Sequence, residues 1–97
     1  MNTQNKVIEW ANEKGLINPN NINRQALKLT EEVGELASAI IKDKRHEQID
    51  AIGDIQVVLI ILSQQLGIDY NEALNSAYNV IKERKGKMVN GSFIKEE

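Results

Sequence analysis

The third predicted helix, residues 47–66, is the feature that most constrains the fold. From Ile55 to Leu62 every residue except Gln56 is apolar. A helix that is apolar on all sides has to be buried on all sides. In a chain of 97 residues, that burial requires either a central position in a helical bundle or a second copy of the chain.

Apolar residues at helical spacing predict three more helices, over residues 4–14, 23–42 and 71–87. The short polar connection at residues 43–46 predicts that the second and third helices run antiparallel. We therefore predict an all-α fold, a four-helix-type bundle that assembles as an oligomer. The whole chain, 1–97, is expected to be a single domain with its core at about 4–88, and the aperiodic tail 89–97 to be a short extended arm.

Helix ends are marked by a few residues with clear capping preferences. Gly15 and Gly67 suit the C-terminal ends of the first and third helices, since glycine readily adopts the left-handed conformation found there. Asn23 suits the N-cap of the second helix, and Asp69 or Asn71 that of the fourth. The core between these ends is expected to be aliphatic, because only four residues are aromatic: Trp10, Tyr70, Tyr78 and Phe93.

The overall composition argues against several classes of protein. A net charge of −2, from 12 basic and 14 acidic residues, lacks the basic excess of a general nucleic-acid binder. The absence of cysteine excludes disulfides and thiolate metal sites. Residues 1–9 lack the apolar run of a signal peptide, and the apolar run 57–62 is far too short for a membrane span. We expect a soluble cytoplasmic protein with neither nucleic-acid nor membrane partners.

Two aspartates interrupt the apolar surface of the third helix. Asp50 and Asp54 lie one turn apart, in line with Val57 and Val58. A buried, unpaired carboxylate is costly unless it finds a cation, donors or a proton. Residues 48–66 contain no Lys, Arg or His, so the compensating charge has to come from another helix or from a metal. We predict that both aspartates look inward, with a divalent ion among them.

The second helix carries a matching group of acids. Glu31, Glu32 and Glu35 share one side of this helix, with Glu32 at the margin of its apolar stripe. Neither Glu31 nor Glu35 has a basic residue four positions later, where Glu35 and Ala39 stand. For this helix alone, a solvated polar face is the more ordinary interpretation.

Gly34 and Gly53 sit beside these acids in helix interiors, at a cost of roughly 1 kcal/mol each relative to alanine. Glycine there allows two backbones, or a backbone and a ligand, to approach closely. Whether the glycines allow contact between two backbones or between a backbone and a ligand, we expect the second and third helices to face each other near the acids.

Clustered oxygen ligands without cysteine suit a hard cation such as Mg²⁺, Mn²⁺ or Ca²⁺. A di-iron bundle would use Glu-x-x-His pairs, and the one histidine, His46, has no glutamate three residues before it. Lys82 and Arg84 on the last helix either complement its dipole or clamp a polyphosphate. Trp10 either stacks on a base or joins the core.

Two segments carry a family resemblance. Residues 28–36, KLTEEVGEL, and residues 50–54, DAIGD, resemble the MazG-like branch of the all-α nucleoside triphosphate pyrophosphohydrolases, in particular its short phage-type members. The family form is Glu-x-x-Glu, a gap, then Glu-x-x-Asp. Glu32 and Glu35 match the first half, and Asp54 matches the final Asp. Ala51 stands where the third acid would fall, and we expect Asp50 to substitute for it.

The resemblance implies hydrolysis of an NTP or dNTP to the monophosphate and pyrophosphate by a homodimer or homotetramer. Our hypothesis is that one or two Mg²⁺ ions, with Mn²⁺ as the substitute, hold the triphosphate and activate a water that attacks the α-phosphorus. The expected metal ligands are Glu32, Glu35, Asp50 and Asp54. The expected catalytic acids are Glu31, Glu32, Glu35 and Asp54, with Glu31 or an acid not fully engaged by metal as general base. The expected substrate-binding residues are Gln25, Lys28, Asn79, Lys82 and Arg84.

A rival of another class is a non-catalytic helical oligomerisation or regulatory module that binds a nucleotide or a partner helix. It accounts equally well for the apolar third helix. It does not account for two acids in the apolar stripe of that helix.

Overall fold

A computed structural model describes residues 2–96 and is mostly helical. Its elements are α1 Thr3–Glu13, a 3₁₀ turn at Pro19–Asn21, α2 Ile22–Ile41, α3 Arg45–Leu66, α4 Tyr70–Ile81, β1 Gly86–Val89 and β2 Ser92–Lys95. The two strands form an antiparallel hairpin. The predicted helical fold with four helices is confirmed, and the hairpin is an element that the sequence pattern did not predict.

Most of the predicted helix ends agree with the structure. Gly15 and Gly67 both have a φ of +71° and follow the ends of α1 and α3. Asp69, rather than Asn71, caps α4 by accepting a hydrogen bond from a backbone N–H of its first turn. The prediction of Asn23 as the N-cap of α2 is wrong, because the preceding 3₁₀ turn runs directly into the helix at residue 22.

The core is built mainly around α3, which packs most extensively against α2 and also contacts α1. The Gln48 side chain, near the start of α3, donates to the Ala39 carbonyl near the end of α2 at 3.3 Å. This contact fits the predicted antiparallel arrangement. The buried hydrophobic residues are all aliphatic, as expected: Ala11, Ala39, Ala51, Val58, Ile60 and Ile61.

One chain alone does not bury all of α3. Ile49, Ile52 and Leu66 are at least half exposed, and α4 has no buried residue among those described. By length and composition α3 is also apolar enough to cross a membrane, with a mean hydropathy of 1.4 over 18 residues. Core helices of globular proteins pass the same test, so this is weak evidence, and the expected absence of a membrane partner stays a prediction.

The predicted end of the fourth helix at residue 87 is wrong, since α4 stops at Ile81. The chain turns through residues 82–85 and enters the hairpin at Gly86, where an added Cβ would overlap the Ile94 carbonyl oxygen and the Phe93 ring. The close approach of β2 therefore requires glycine at this position. The expected boundary between core and tail at residue 88 falls inside β1.

A buried glutamine fixes the connection between α1 and α2. The Gln65 side chain, near the end of α3, donates from Nε2 to the carbonyl oxygens of Leu16 and Asn18, at 3.1 and 3.0 Å. The loop that follows α1 is thus held against α3, which in turn sets how α1 lies along that helix.

Candidate functional site

A cavity of about 400 Å³ lies where α2 faces α3, and we call it the acid pocket. Its lining residues are Glu35 and Ser38 from α2, and Glu47, Asp50, Ala51 and Asp54 from α3. Helical spacing of three or four residues keeps each of these sets on one side of its helix. The pocket thus brings together three of the four predicted metal ligands.

The prediction that Asp50 and Asp54 look into the interior is wrong for the single chain. Both are exposed, and the Asp50 side chain retains 62% of its accessible surface. Val58 is buried, as the predicted stripe requires, but the buried side of α3 continues from it to Ala51 and not to the aspartates, and Asp50 lies about 100° round the helix from Ala51. The nearest basic group to Asp50 is His46 on the same helix, with its Nε2 3.6 Å from an Asp50 carboxylate oxygen.

The buried carboxylate belongs to Glu32, which is only 7% exposed. Lys28, one turn earlier on α2, brings its Nζ to 3.4 Å from Glu32 Oε1. The other oxygen, Oε2, is buried without a hydrogen-bond partner. Unpartnered buried polar atoms are rare in folded proteins, and a buried carboxylate oxygen is normally satisfied by a donor, a proton or a cation.

The negative charge of Glu32 changes the pKa of the neighbouring Glu35 carboxyl. Its pKa is raised above the ordinary value of 4.5, mainly by the negative charge of Glu32 and next by desolvation. The negative charge of Asp54 raises the pKa of Glu35 slightly further, whereas the positive charge of Lys28 lowers it. The acids of α2 and α3 are therefore close enough to repel one another, as expected where carboxylates surround a cation site.

This repulsion predicts how Glu35→Gln changes stability in metal-free protein. Because the pKa of Glu35 is raised in the folded state, its contribution to stability is present below pH 4.5 and is lost as the pH rises through that raised value. Thermal unfolding in EDTA should therefore show a higher Tm for the variant at pH 7 and equal values near pH 3.5. Glu13→Gln, on the exposed end of α1, is the matched control. A variant less stable than the wild type at pH 7 would contradict the repulsion.

The side-chain oxygens of the acid pocket are the type of ligand that a hard cation prefers, but they are not arranged around one common point. Within residues 2–96, no three acidic or histidine side chains lie close enough together to hold one ion as they stand. All the donors of the acid pocket are carboxylate or hydroxyl oxygens. Exposed carboxylates turn readily between rotamers, and Mg²⁺ fills its remaining positions with water and phosphate oxygens.

The other predicted residues of α2 lie outside the acid pocket. Glu31 is exposed and is not one of the lining residues. Gln25 is buried, with its Oε1 unpartnered, rather than open to a substrate. Lys28 is half exposed and is engaged with Glu32.

The three predicted residues from the end of the chain also lie elsewhere. Asn79 is on α4, Lys82 caps it, and Arg84 follows in the turn. None of them lines the acid pocket, and α4 packs against α3 next to Leu59 and Ser63. The Lys82 ammonium instead lies 5.9 Å from the centre of the Tyr78 ring.

Two lining residues were missed by the sequence analysis. Glu47 stands three residues before Asp50, so residues 47–50 repeat the Glu-x-x-Asp form one turn ahead of Ala51 and Asp54. That repeat was the available signal. Ser38 lies three residues after Glu35 on the same side of α2, and only this spacing could have indicated it.

The glycines beside the acids do not serve close helix packing in the single chain. A Cβ added at Gly34 or Gly53 would meet no atom within 4 Å. The expectation of two backbones in contact at these positions is therefore wrong here. The other expectation, room for a ligand, is left open for Gly53, which borders a second cavity next to Asp54.

Comparisons with known proteins agree with the resemblance seen in the sequence. Residues 21–89 match the MazG nucleotide pyrophosphohydrolase domain. The chain is also similar to an uncharacterized 18.2 kDa protein in the rep-hol intergenic region of Haemophilus phage HP1, at 41% identity over 63 residues. That match covers 65% of this chain and only 39% of the phage protein. No solved structure matches the chain. Since the matched domain includes α2, α3, α4 and the acids between them, the chain belongs to the MazG nucleotide pyrophosphohydrolase family.

Proposed function

We propose that this protein is a Mg²⁺-dependent pyrophosphohydrolase that converts an NTP or dNTP to the monophosphate and pyrophosphate. The observation that carries the proposal is the buried, unpartnered Oε2 of Glu32 on the helix that also supplies Glu35 to the acid pocket. The proposed metal ligands are Glu32, Glu35, Asp50 and Asp54. We also propose a cytoplasmic location without nucleic-acid or membrane partners, as the composition suggests.

Mg²⁺ held by Glu32, Glu35, Asp50 and Asp54 would supply positive charge to the phosphates and would lower the pKa of the attacking water. The water oxygen then attacks the α-phosphorus, the bond from that phosphorus to the bridging oxygen breaks, and pyrophosphate leaves. Glu35 is the proposed acceptor for the proton of the water, because its carboxylate lines the acid pocket. Glu31 is a weaker choice for this role because it lies outside the pocket.

The surface of a single chain supports assembly into a homodimer or homotetramer. Its accessible surface is 7557 Å², whereas a compact monomer of 10.9 kDa exposes about 5,600 Å². Its radius of gyration is 16.2 Å, against about 12.5 Å for a compact domain of this length. A second copy would cover the apolar side of α4, and it is the proposed source of Asn79, Lys82 and Arg84 at the acid pocket.

Assembly predicts a solution mass of at least twice the 10.9 kDa of one chain. Light scattering coupled to size exclusion measures this mass directly. Leu74→Asp places a charge on the exposed apolar face of α4 and should shift the mass towards that of a monomer. Asn71→Asp, at an already polar position of the same helix, should leave it unchanged. A wild-type mass of one chain would contradict the proposed assembly.

Glu47 is a further proposed acid of the site. At the position of the third family acid, Ala51 is buried and its short side chain leaves the space of the acid pocket open. Glu47 lines the same space one turn earlier, and within residues 2–96 its salt-bridge partner is Lys44, 3.9 Å away and more than half exposed. Exposed pairs of this kind contribute little to stability, so Glu47 is free to turn towards a cation.

We expect Glu47→Gln to weaken Mn²⁺ binding about 10-fold, because fewer anionic ligands lower the affinity for a hard cation. Isothermal titration calorimetry in the absence of nucleotide measures this affinity. Lys44→Gln removes the same ion pair and keeps the acid, so it should bind Mn²⁺ at least as tightly as the wild type. Equal losses in both variants would assign Glu47 a purely structural role.

The cleavage position is tested by incubating the protein with dNTPs and Mg²⁺ in H₂¹⁸O. We expect orthophosphate to be detected only after an inorganic pyrophosphatase is added, and the label to appear in the nucleoside monophosphate. Orthophosphate as the primary product would refute attack at the α-phosphorus. Screening canonical and modified dNTPs in the same assay identifies the preferred base.

The rival, a non-catalytic module, is distinguished by the response to metal. The proposed enzyme should gain thermal stability on titration with Mg²⁺, since an ion that binds only the folded state stabilises it. A protein that is indifferent to Mg²⁺ and releases no pyrophosphate would favour the rival.

A further inference from the structure

A cleft between α1 and α3 opens beside the acid pocket. Two adjoining cavities of about 670 and 410 Å³ form it, and they share Thr3, Val7, Asp54 and Val57 among their lining residues. We call this the α1–α3 cleft. Asp54 lines both of these cavities as well as the acid pocket, and Asp50 lines the larger cavity and the acid pocket. The two sites therefore adjoin each other at the aspartates.

The walls of the cleft suit a flat, partly apolar ligand. Trp10 lines it from α1 and is 48% exposed, so it is not the core residue that a tryptophan on an apolar stripe often is. Val7 and Val57 supply aliphatic surface from the two helices. Thr3 and Gln56 bring a hydroxyl and an amide, which can donate and accept hydrogen bonds.

Gly53 forms part of the same wall. A Cβ at this position would meet no protein atom, so glycine is not required by the packing of the chain itself. It does cost helix stability, and a ligand that lies close to the α3 backbone would account for that cost.

We propose that the α1–α3 cleft binds the nucleoside of the substrate, with the base stacked on Trp10, while the acid pocket holds its phosphates. This rests on the proposed function, because the adjacency of the two sites at Asp50 and Asp54 points to a nucleotide only if the acids bind phosphate through a metal. A nucleotide is the ligand that fits both sites, since its base can stack on the indole of Trp10 while its phosphates reach the acids. Base–aromatic stacking accepts any base. We therefore assign the selection among bases to hydrogen bonds from the Gln56 amide and the Thr3 hydroxyl to the edge of the base.

Trp10 is the one tryptophan of the chain, so its fluorescence reports on the cleft without any label. The full-length protein is titrated, in the presence of Mg²⁺, with the α,β-methylene analogues of dATP and dCTP, and separately with inorganic tripolyphosphate. Calorimetry measures binding of each in parallel. We expect saturable quenching of Trp10 by at least one nucleotide analogue, and binding of tripolyphosphate without comparable quenching.

The matched variants are Trp10→Leu and Trp10→Phe, with far-UV circular dichroism as the check on folding. Trp10→Leu should raise the Kd of the analogue roughly 10-fold or more and leave that of tripolyphosphate unchanged, while Trp10→Phe retains most of the affinity. Equal affinity of Trp10→Leu and wild type for the analogue overturns the cleft assignment. If tripolyphosphate and both analogues bind without involving Trp10, the cleft assignment fails and the proposed function stands. If none of them binds, both fail.

The glycines provide a second, independent pair. Gly53→Ala and Gly34→Ala should each raise the Tm by about 2–8 °C, because both positions are helical and have space for a methyl group. Gly53→Ala alone should weaken binding of the nucleotide analogue, since Gly34 borders neither cavity of the cleft. The same affinity in both variants would count against a ligand that contacts the α3 backbone.

Discussion

Asp54→Asn is expected to lower Mg²⁺-dependent release of pyrophosphate by about 10³-fold or more, with helicity unchanged. Asp54 is the residue that lines the acid pocket and both cavities of the α1–α3 cleft, so it stands where the phosphates and the nucleoside would meet. Its replacement by the isosteric amide removes an anionic ligand from the cation without removing volume. Losses of this size are typical when a group that stabilises transition-state charge is deleted.

The matched control is Asp43→Asn, the same chemical change in the turn between α2 and α3. Asp43 has a φ of +55°, a conformation that asparagine adopts readily, so this variant should fold and turn over like the wild type. Initial rates from a pyrophosphatase-coupled assay across a Mg²⁺ series measure both. Normal turnover by Asp54→Asn would show that the site has been assigned to the wrong acids.

Glu32→Leu is expected to change stability and activity in opposite directions. The wild-type carboxylate is buried with one oxygen unpartnered, and replacing a poorly satisfied buried charge by an apolar side chain of similar size is often stabilising. We expect the free energy of unfolding in EDTA to rise by about 1 kcal/mol. Pyrophosphate release should fall by at least about 10²-fold, and the Mg²⁺-dependent rise in Tm should be lost.

Urea unfolding in EDTA and in Mg²⁺ separates the two effects. Glu13→Leu makes the same substitution at an exposed position of α1 and should change neither quantity appreciably. If Glu32→Leu destabilised the metal-free protein and kept its activity, the role of Glu32 would be its ion pair with Lys28 alone.

Helical periodicity and capping residues predicted α1, α2 and α3 to within a few residues, because those signals are local. The burial of Asp50 and Asp54 was mispredicted for a related reason. The sequence pattern places the aspartates in the apolar stripe, whereas in the structure Ala51 is buried and both aspartates are exposed. A small rotation of the helix about its axis moves a side chain at the margin of the apolar stripe from the interior to solvent. The neighbouring helix decides that rotation, and the sequence of the helix itself does not reveal it.

The hairpin at the end of the chain was missed because its signals are weak. Lys82, Arg84 and Lys85 are good helix formers, and helical propensity extends the pattern of α4 past its true end. The turn at Asn90 and Gly91, both with positive φ, is the signal that would have revealed it. Glu47 was not predicted because Asp50, next to Ala51, already supplies a carboxylate on the same helix.

The bonds from Gln65 to the Leu16 and Asn18 carbonyls have a consequence for how damage spreads along the chain. The Gln65 amide joins segments nearly fifty residues apart in sequence. Without it, the loop that follows α1 would lose its attachment to α3, and α1 would be held only by its remaining contacts with α3. We therefore expect loss of the Gln65 amide to weaken the proposed binding of the base more than the proposed binding of the phosphates, although Gln65 lines neither the α1–α3 cleft nor the acid pocket.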